Sequence, residues 1–484
     1  MIDAKLSNVN EELKEKGLDE GQIAKAKTLF LKKLSEDTHR FYGGKMQTVP
    51  KAGVFGFNWF NVWYTPGVSK ISTAIRDNND LSYELSNRGN YVAVVSDSTR
   101  VLGDGNCTPP GGLGVMEGKA FLMKYLGGID ATALTIDSRN EKGEHDPDKI
   151  IDFVKMAQPS FGAVNLEDIS QPNCYKVLDT LREETEIPVW HDDAQGTACV
   201  TLAGLINAVK LADKKMEDVK LVFLGAGASN ATIARIVITA GAKPENVIVF
   251  DSKGALHSGR EDVKKDPRFY RKWELCQTTN LAKIDGFDEA MKGADALIAL
   301  SKPGPDVVHP DSVKLMGKKP IVFACANPVP EIYPYAAKEA GAFIVATGRG
   351  DFPNQVNNSV GFPGILKGAL LTRSKKISDE MAIGAAYSLA RFAEKRGITP
   401  DNIIATMEET DVFPHEAADV AVQSVKEGLA RVEMSWDEVY RRTKEDIQYS
   451  RGLVAKMIED GYIKVPDQKM IENAMDWALK EIKA

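Results

Sequence analysis

At 484 residues the chain is long enough for two or three domains with an ample core, and 43% hydrophobic with 27% charged residues excludes a disordered or low-complexity polypeptide. A net charge of -7 and a pI near 5.6 argue against nucleic acid or an anionic membrane as the main partner and favour small molecules. Five scattered cysteines, Cys107, Cys174, Cys199, Cys276 and Cys325, fit reduced thiols; with no basic-then-apolar leader and no apolar run of about 18 residues, a cytoplasmic protein is expected.

Residues 3–45 space their apolar positions by three and four, which predicts a helical arm for packing or dimerisation. The stretch VFGFNWFNVWYTPGVSKI then crowds aromatic residues around Tyr64, Thr65, Pro66 and Gly67. It reads either as core or as a loop that positions a phenol acid. YVAVVS reads as a buried strand that leads into a Gly-rich loop with Arg100 and Asp104. An Arg just past a strand end offers a planar fork to a substrate carboxylate, or forms a surface ion pair. Farther on, GVMEGKAFLMKYLG places Glu117 and Lys119 in the first turn of a helix whose apolar face includes Ala120, Phe121 and Leu122. A lysine there opposes the helix dipole, and a desolvated lysine beside a cation has its pKa lowered towards that of a general base.

Two acidic clusters follow. FGAVNL is a short apolar run that ends in Glu167 and Asp168, and IPVWH is another that ends in Asp192 and Asp193. VLDTLREET between them has helical spacing, so the three form a βαβ unit with parallel strands. Both clusters then lie at carboxyl ends, where open α/β sheets bind ligands. Converging oxygens without a thiolate suit Mg2+ or Mn2+; the competing reading is a pair of solvated acidic turns.

After Gly196 and Thr197 open a helix, VKLVFLGAGASNATIARIVITAGAKPENVIVFD reads as strand, glycine turn, helix and strand, with Asp251 at the end. Gly225 and Gly227 match the dinucleotide fingerprint, and Asp251 lies at the distance expected of the ribose-binding acid. Asn230 stands at the third glycine position, where Ala231 or a wider approach must relieve the packing. ADALIAL, PIVFACANP and GAFIVAT are further strands whose loops carry Ser301, Asn327, Asn354, Asn357 and Asn358. Beyond Ile365 the pattern is helical, with Ser378 as an N-cap, Gly397 past that helix, and further helices over 415–432, 435–459 and 467–483. The predicted fold is α/β: an N-terminal substrate and metal domain with its helical arm (1–195), a Rossmann-like parallel-sheet NAD(P) domain (196–370) and a C-terminal helical segment (371–484).

The motifs YTPGV, SDSTRVLG, GVMEGKA, NLEDI, HDDAQGTA, GAGASN, FDSKG, ANP and NQVNN, in this order between residues 64 and 358, resemble the malic enzyme family. Ser98 departs from the family pattern, which has Gly there. The resemblance implies oxidative decarboxylation of L-malate to pyruvate and CO2 with reduction of NAD or NADP. It implies Mg2+ or Mn2+ held by Glu167, Asp168 and Asp193, Lys119 as base, Asp192 orienting it, and Tyr64 as the acid that protonates the enol. Arg100, Asn327 and Asn358 would hold substrate; Gly225, Gly227, Asp251 and Asn357 would hold the dinucleotide; the assembly would be a homodimer with no nucleic-acid or membrane partner. Asp251 favours NAD, whereas Ser252, Lys253 and Arg260 suit a 2′-phosphate. Two other readings stand beside this one. A dehydrogenase without decarboxylation would not need the acidic triad, and a non-catalytic dinucleotide sensor would not need Tyr64, Lys119 and the carboxylates together.

Overall fold

The computed structural model describes residues 2–483. They form two compact units, one from the chain's start to Val49 and again from Ser450 onward, the other Pro50–Tyr449. In the first, the helix Glu20–Tyr42 opens with a capping box between Asp19 and Gln22 and ends at Gly43 in the left-handed region. Its Ala26, Phe30 and Leu34 share a core with Ile471, Ala474 and Ala478 of the helix Gln468–Lys483.

The larger unit contains two sheets. β1 (Tyr91–Ser96), β2 (Asp130–Thr135), β3 (Ala163–Leu166) and β4 (Val189–His191) are all parallel, in the order β2-β1-β3-β4. β1, β3 and β4 are apolar and buried almost throughout, as a sheet covered on both faces requires. The chain leaves β1 to one side for β2 and returns on the other for β3, so the strand order reverses between β1 and β3. Such a reversal opens a crevice at the carboxyl ends. Glu167 and Asp168 follow β3 directly, and the helix Asn173–Glu184 supplies the expected crossover to β4.

The second sheet holds β5 (Leu221–Leu224), β6 (Val247–Asp251), β7 (Gly254–Ala255), β8 (Ala296–Ala299), β9 (Ile321–Ala324) and β10 (Ile344–Thr347), in the order β10-β9-β8-β5-β6-β7. All pair in parallel except the short edge strand β7. This is the Rossmann-like arrangement, with its reversal at β5. The two sheets share one hydrophobic core, to which Trp190, Phe223, Phe323 and Phe362 contribute. The helix Phe362–Leu371 packs against both Leu113–Gly127 and Val412–Lys426. Ser378 caps Asp379–Arg396 by accepting from the Met381 N–H, and Gly397 ends it. The remaining helices run Val412–Lys426, Trp436–Glu459 and Gln468–Lys483; the last two match their predicted spans closely, whereas the first ends at Lys426, short of the predicted 432. Among the described residues no helix is long and apolar enough to cross a membrane.

Candidate active site

The carboxyl ends of β3 and β4 bring three carboxylates together: one oxygen each of Glu167, Asp168 and Asp193 lie within 4.8 Å of one another. The backbone is bent to achieve this. Asp168 adopts φ 54°, its N–H donates to Asp193 Oδ2 at 2.7 Å, and its carbonyl accepts from the Arg100 N–H at 3.0 Å. Ser98 and Leu102 are also left-handed, at φ 58° and 46°. That geometry accounts for the glycine the family pattern has where Ser98 stands, and left-handed non-glycine residues clustered in one loop mark a functional constraint. Asp192 and Asp193 begin the π-helical turn Asp192–Gly196, a feature frequent at functional sites.

Lys119 points into this cluster from the helix Leu113–Gly127. It is 8% exposed, its ammonium donates to Asp192 Oδ2 and lies 3.1 Å from Glu167, and it sits 4.7 Å from the centre of the Phe362 ring. Two expectations about this lysine and its helix need correction. It occupies the second turn of the helix, not the first, because the helix starts at Leu113. Phe121 is 40% exposed and does not belong to the buried face, which Met116, Lys119, Ala120 and Met123 form. Without a cation beside it, the lysine has a raised pKa: burial pulls it down, but the charges of Asp192, Glu167 and Asp193 push it up by more.

The carboxylates feel the opposite imbalance. Burial holds Glu167 well above the usual range, only partly countered by Lys119, with Asp193, Asp192 and Asp168 adding repulsion. Asp168 is pushed up to about 8 by burial and the Asp193 charge, against the Leu102 N–H bond. Asp192 is raised by burial, although Lys119 and the Trp190 indole favour its charged form.

The other predicted residues converge from both sheets. A Cβ on Gly103, in the Arg100 loop, would lie 2.5 Å from the Asn327 carbonyl oxygen, so that loop abuts the end of β9. A Cβ on Gly196 would lie 2.0 Å from Asp192 Oδ1 and 3.4 Å from Asn358 Cβ, which sets Asn358 beside the acidic turn. Asn357 caps the turn Asn358–Val360 by accepting from the Ser359 N–H. Gly227 precedes the helix Ala228–Thr239, whose Ser229 hydroxyl donates to the Asp193 carbonyl at 2.9 Å, joining the glycine turn to the acidic turn. Asn230 solves the third-glycine problem by bonding: its amide donates to the carbonyls of Leu224, Gly225 and Ile298. Asp251 lies at the far end, its carboxylate gripped by both terminal nitrogens of Arg260 at 3.0 Å.

Gly225 adopts φ 102°, and a Cβ there would lie 2.3 Å from the Leu300 carbonyl oxygen. Both the conformation and the contact exclude a side chain, so Gly225→Ala is expected to lose about 1–3 kcal/mol of stability from crowding alone, with weaker dinucleotide binding. A denaturation midpoint and a dinucleotide titration check both.

Tyr64 is not brought to this cluster. It is 72% exposed, on a segment that is exposed at every position from residue 50 to 66; the reading of that stretch as core is therefore incorrect. Several supporting residues escaped the sequence. The Trp190 indole donates to Asp192 Oδ1 at 3.0 Å. Glu331 accepts from the N–H groups of Ser301 at 2.8 Å and Ala326 at 3.1 Å, clamping the loops after β8 and β9. Phe362 faces Lys119. None sits in a motif; each acts through a contact formed only in the fold.

With this geometry in view, residues 57–182 match the profile "Malic enzyme, N-terminal domain" and residues 194–426 match "Malic enzyme, NAD binding domain". The fold is similar to a crystal structure of Entamoeba histolytica malic enzyme, with a TM-score of 0.97 at 60% identity over 100% of this chain and 99% of that one. A bifunctional malic/malolactic enzyme of Bacillus subtilis is 40% identical over 84% of this chain and 96% of its own length. An NAD-dependent malic enzyme of Geobacillus stearothermophilus is 40% identical over 80% of this chain and 78% of its own.

Proposed function

Because the chain belongs to the malic enzyme family, we propose that it oxidises L-malate with NAD(P)+ and releases CO2 and pyruvate, with Mg2+ or Mn2+ required. The observation that carries this reading is the buried Lys119 ammonium, held by Asp192 and Glu167 beside a three-carboxylate group.

Glu167, Asp168 and Asp193 fit a hard divalent cation. Their oxygens converge, Asp168 Oδ2 is buried without a hydrogen-bond donor, and one buried ammonium cannot balance the local negative charge. Bound there, the cation supplies Lewis acidity at the C2 oxygen, and NAD(P)+ supplies the hydride acceptor. Lys119 takes the C2 hydroxyl proton, and Asp192 keeps its ammonium oriented. Lys119 can serve as that base only when Glu167 and Asp193 are neutralised, since they and Asp192 hold its proton; burial then acts in the lowering direction. Arg100, Asn327 and Asn358 hold the substrate carboxylates. Tyr64 protonates C3 of the enol that remains after CO2 leaves. Gly225 and Gly227 admit the pyrophosphate to the start of the following helix, Asp251 receives the ribose, and Asn357 also contacts the dinucleotide.

The same reading divides the work between residues 1–195, 196–370 and 371–484, and takes a homodimer in the cytoplasm. The free state of all five cysteines supports that compartment. Dialysis against a chelator is expected to remove malate turnover and added Mn2+ to restore it, while NAD(P)H still binds, as read by its fluorescence. Full turnover in the presence of chelator would overturn the metal requirement.

A further inference from the structure

The turn that carries Arg100 is held from behind. Arg100 is exposed, so the direction of its guanidinium follows the backbone beneath it, and that backbone is strained: Ser98, Leu102 and Thr108 all lie in the left-handed region, at φ 58°, 46° and 63°. Residues other than glycine keep such angles only where their surroundings over-determine them. Local bonds supply part of this. The Asp97 carboxylate accepts from the Thr99 hydroxyl at 2.6 Å, the Thr99 oxygen accepts in turn from the Ser170 N–H at 2.9 Å, and the Cys107 N–H donates to the Ser98 carbonyl at 3.1 Å. Ser170 lies two residues past Asp168, so the same bonds tie the turn to the acidic cluster.

The other oxygen of Asp97 leads to a histidine. Ser138, fully buried beyond β2, donates its hydroxyl to Asp97 Oδ2 at 2.8 Å. With its one proton so placed, its oxygen must accept from His145 Nδ1, 2.9 Å away. His145 Nε2 faces the Asn106 amide nitrogen at 3.1 Å, and that amide is fixed in orientation because its oxygen accepts from the Thr108 N–H at 3.1 Å. An amide nitrogen only donates, so Nε2 must accept. The bonds therefore close around a neutral imidazole with its proton on Nδ1, and they run one way, from Asn106 to His145 to Ser138 to Asp97. Among the described residues, the charged groups recorded about His145 are Asp97, 3.8 Å from Nδ1, and Asp137 with its ion-pair partner Arg139. Asn173, which donates to the His145 carbonyl from the helix Asn173–Glu184, is uncharged.

Resting on the reading of Arg100 as a holder of the malate carboxylate, we infer that His145 is a positioning residue for the substrate: neutral, it closes the chain of bonds that steadies the Arg100 turn, and its protonation opens that chain at Asn106 and weakens malate binding. A second proton on the imidazole turns Nε2 into a donor that faces a donor, so the loop between Arg100 and Thr108 loses this anchor. The His145 side chain is 25% exposed, which lets water deliver the proton. Malate then binds less well as pH falls through the range in which histidines ordinarily change charge, roughly 5 to 8, while the chemical step at Lys119 is left alone.

Steady-state kinetics at saturating Mn2+ and dinucleotide test this, with KM for malate and kcat followed from about pH 8 to about pH 5 in wild type, His145→Gln and Asn106→Asp. In His145→Gln the amide oxygen reaches the Nε2 position and accepts from Asn106 at every pH. In Asn106→Asp the carboxylate accepts from the charged imidazole and keeps the Thr108 bond. Protonation of the clustered carboxylates affects all three enzymes alike and cancels in the comparison. The wild-type rise in KM on the acid side is expected to exceed that of either variant by roughly three- to tenfold, the worth of one hydrogen bond, while kcat follows the same pH course in all three. Asn106 is exposed, so its exchange keeps the test decisive if His145→Gln is unstable. An equal rise in KM in wild type and Asn106→Asp, or a difference carried by kcat alone, would overturn the inference. Failure of the functional reading is distinct: wild type would then show no malate turnover at any pH.

Discussion

Lys119→Ala is expected to lose about 10² to 10⁴ in kcat, the usual contribution of a positioned acid or base, in malate oxidation and in oxaloacetate reduction alike. Both reactions move a proton at the C2 oxygen, and the buried ammonium against Asp192 and Glu167 is the group placed to carry it. A small added amine should restore part of the rate. Tyr64→Phe is expected to fall by a similar order in pyruvate formation yet to reduce oxaloacetate almost normally, because that reaction places no proton on C3. Equal loss of every partial reaction in both variants, or oxaloacetate reduction by Tyr64→Phe no better than by Lys119→Ala, would contradict this division of acid and base.

Asp193→Asn is the second large effect. Turnover should fall to background with no loss of folding stability. Asp193 Oδ2 accepts the Asp168 N–H at 2.7 Å, a bond the amide oxygen of Asn can keep. The substitution also removes one of several crowded negative charges whose repulsion raises Glu167 and Asp168. A Mn2+ titration followed by a thermal melt separates the two properties: weakened cation binding with an unchanged or higher midpoint is expected. Wild-type turnover at limiting Mn2+ would remove Asp193 from the ligand set.

The strands other than β2 and β7 were legible because each is a short apolar run bounded by polar or glycine-rich turns, and parallel sheets demand that pattern; β2 (DATALT) is half polar and only half-buried, and β7 is two residues long. YVAVVS is β1 residue for residue. Glu167, Asp168, Asp192 and Asp193 were legible as a pair of clusters because a βαβ unit must return its second strand parallel to the first, which puts both strand ends on one side. What the linear pattern could not convey is charge environment. The pKa of Lys119 follows from burial set against Asp192, Glu167 and Asp193, residues far from it in sequence, so its direction depends on whether those charges are neutralised. The orientation of Phe121 was misread for a related reason: its helix buries Met116, Ala120 and Met123 and leaves the next residue to solvent. Asn230 violates the glycine pattern, and only the positions of three carbonyls explain why an amide is tolerated there. The aromatic stretch around Tyr64 looked equally like core and like a loop because apolar composition alone does not say whether a surface is buried within one chain or between two.

The central claim is that this site couples hydride transfer from malate to decarboxylation. Its most direct test is the stoichiometry of a purified, Mn2+-loaded enzyme supplied with L-malate and either dinucleotide, in which CO2, pyruvate and NAD(P)H are all quantified from one reaction. The account predicts equal amounts of the three from the earliest time points. Accumulation of oxaloacetate with NAD(P)H and no CO2, or CO2 release without any reduced dinucleotide, would contradict it.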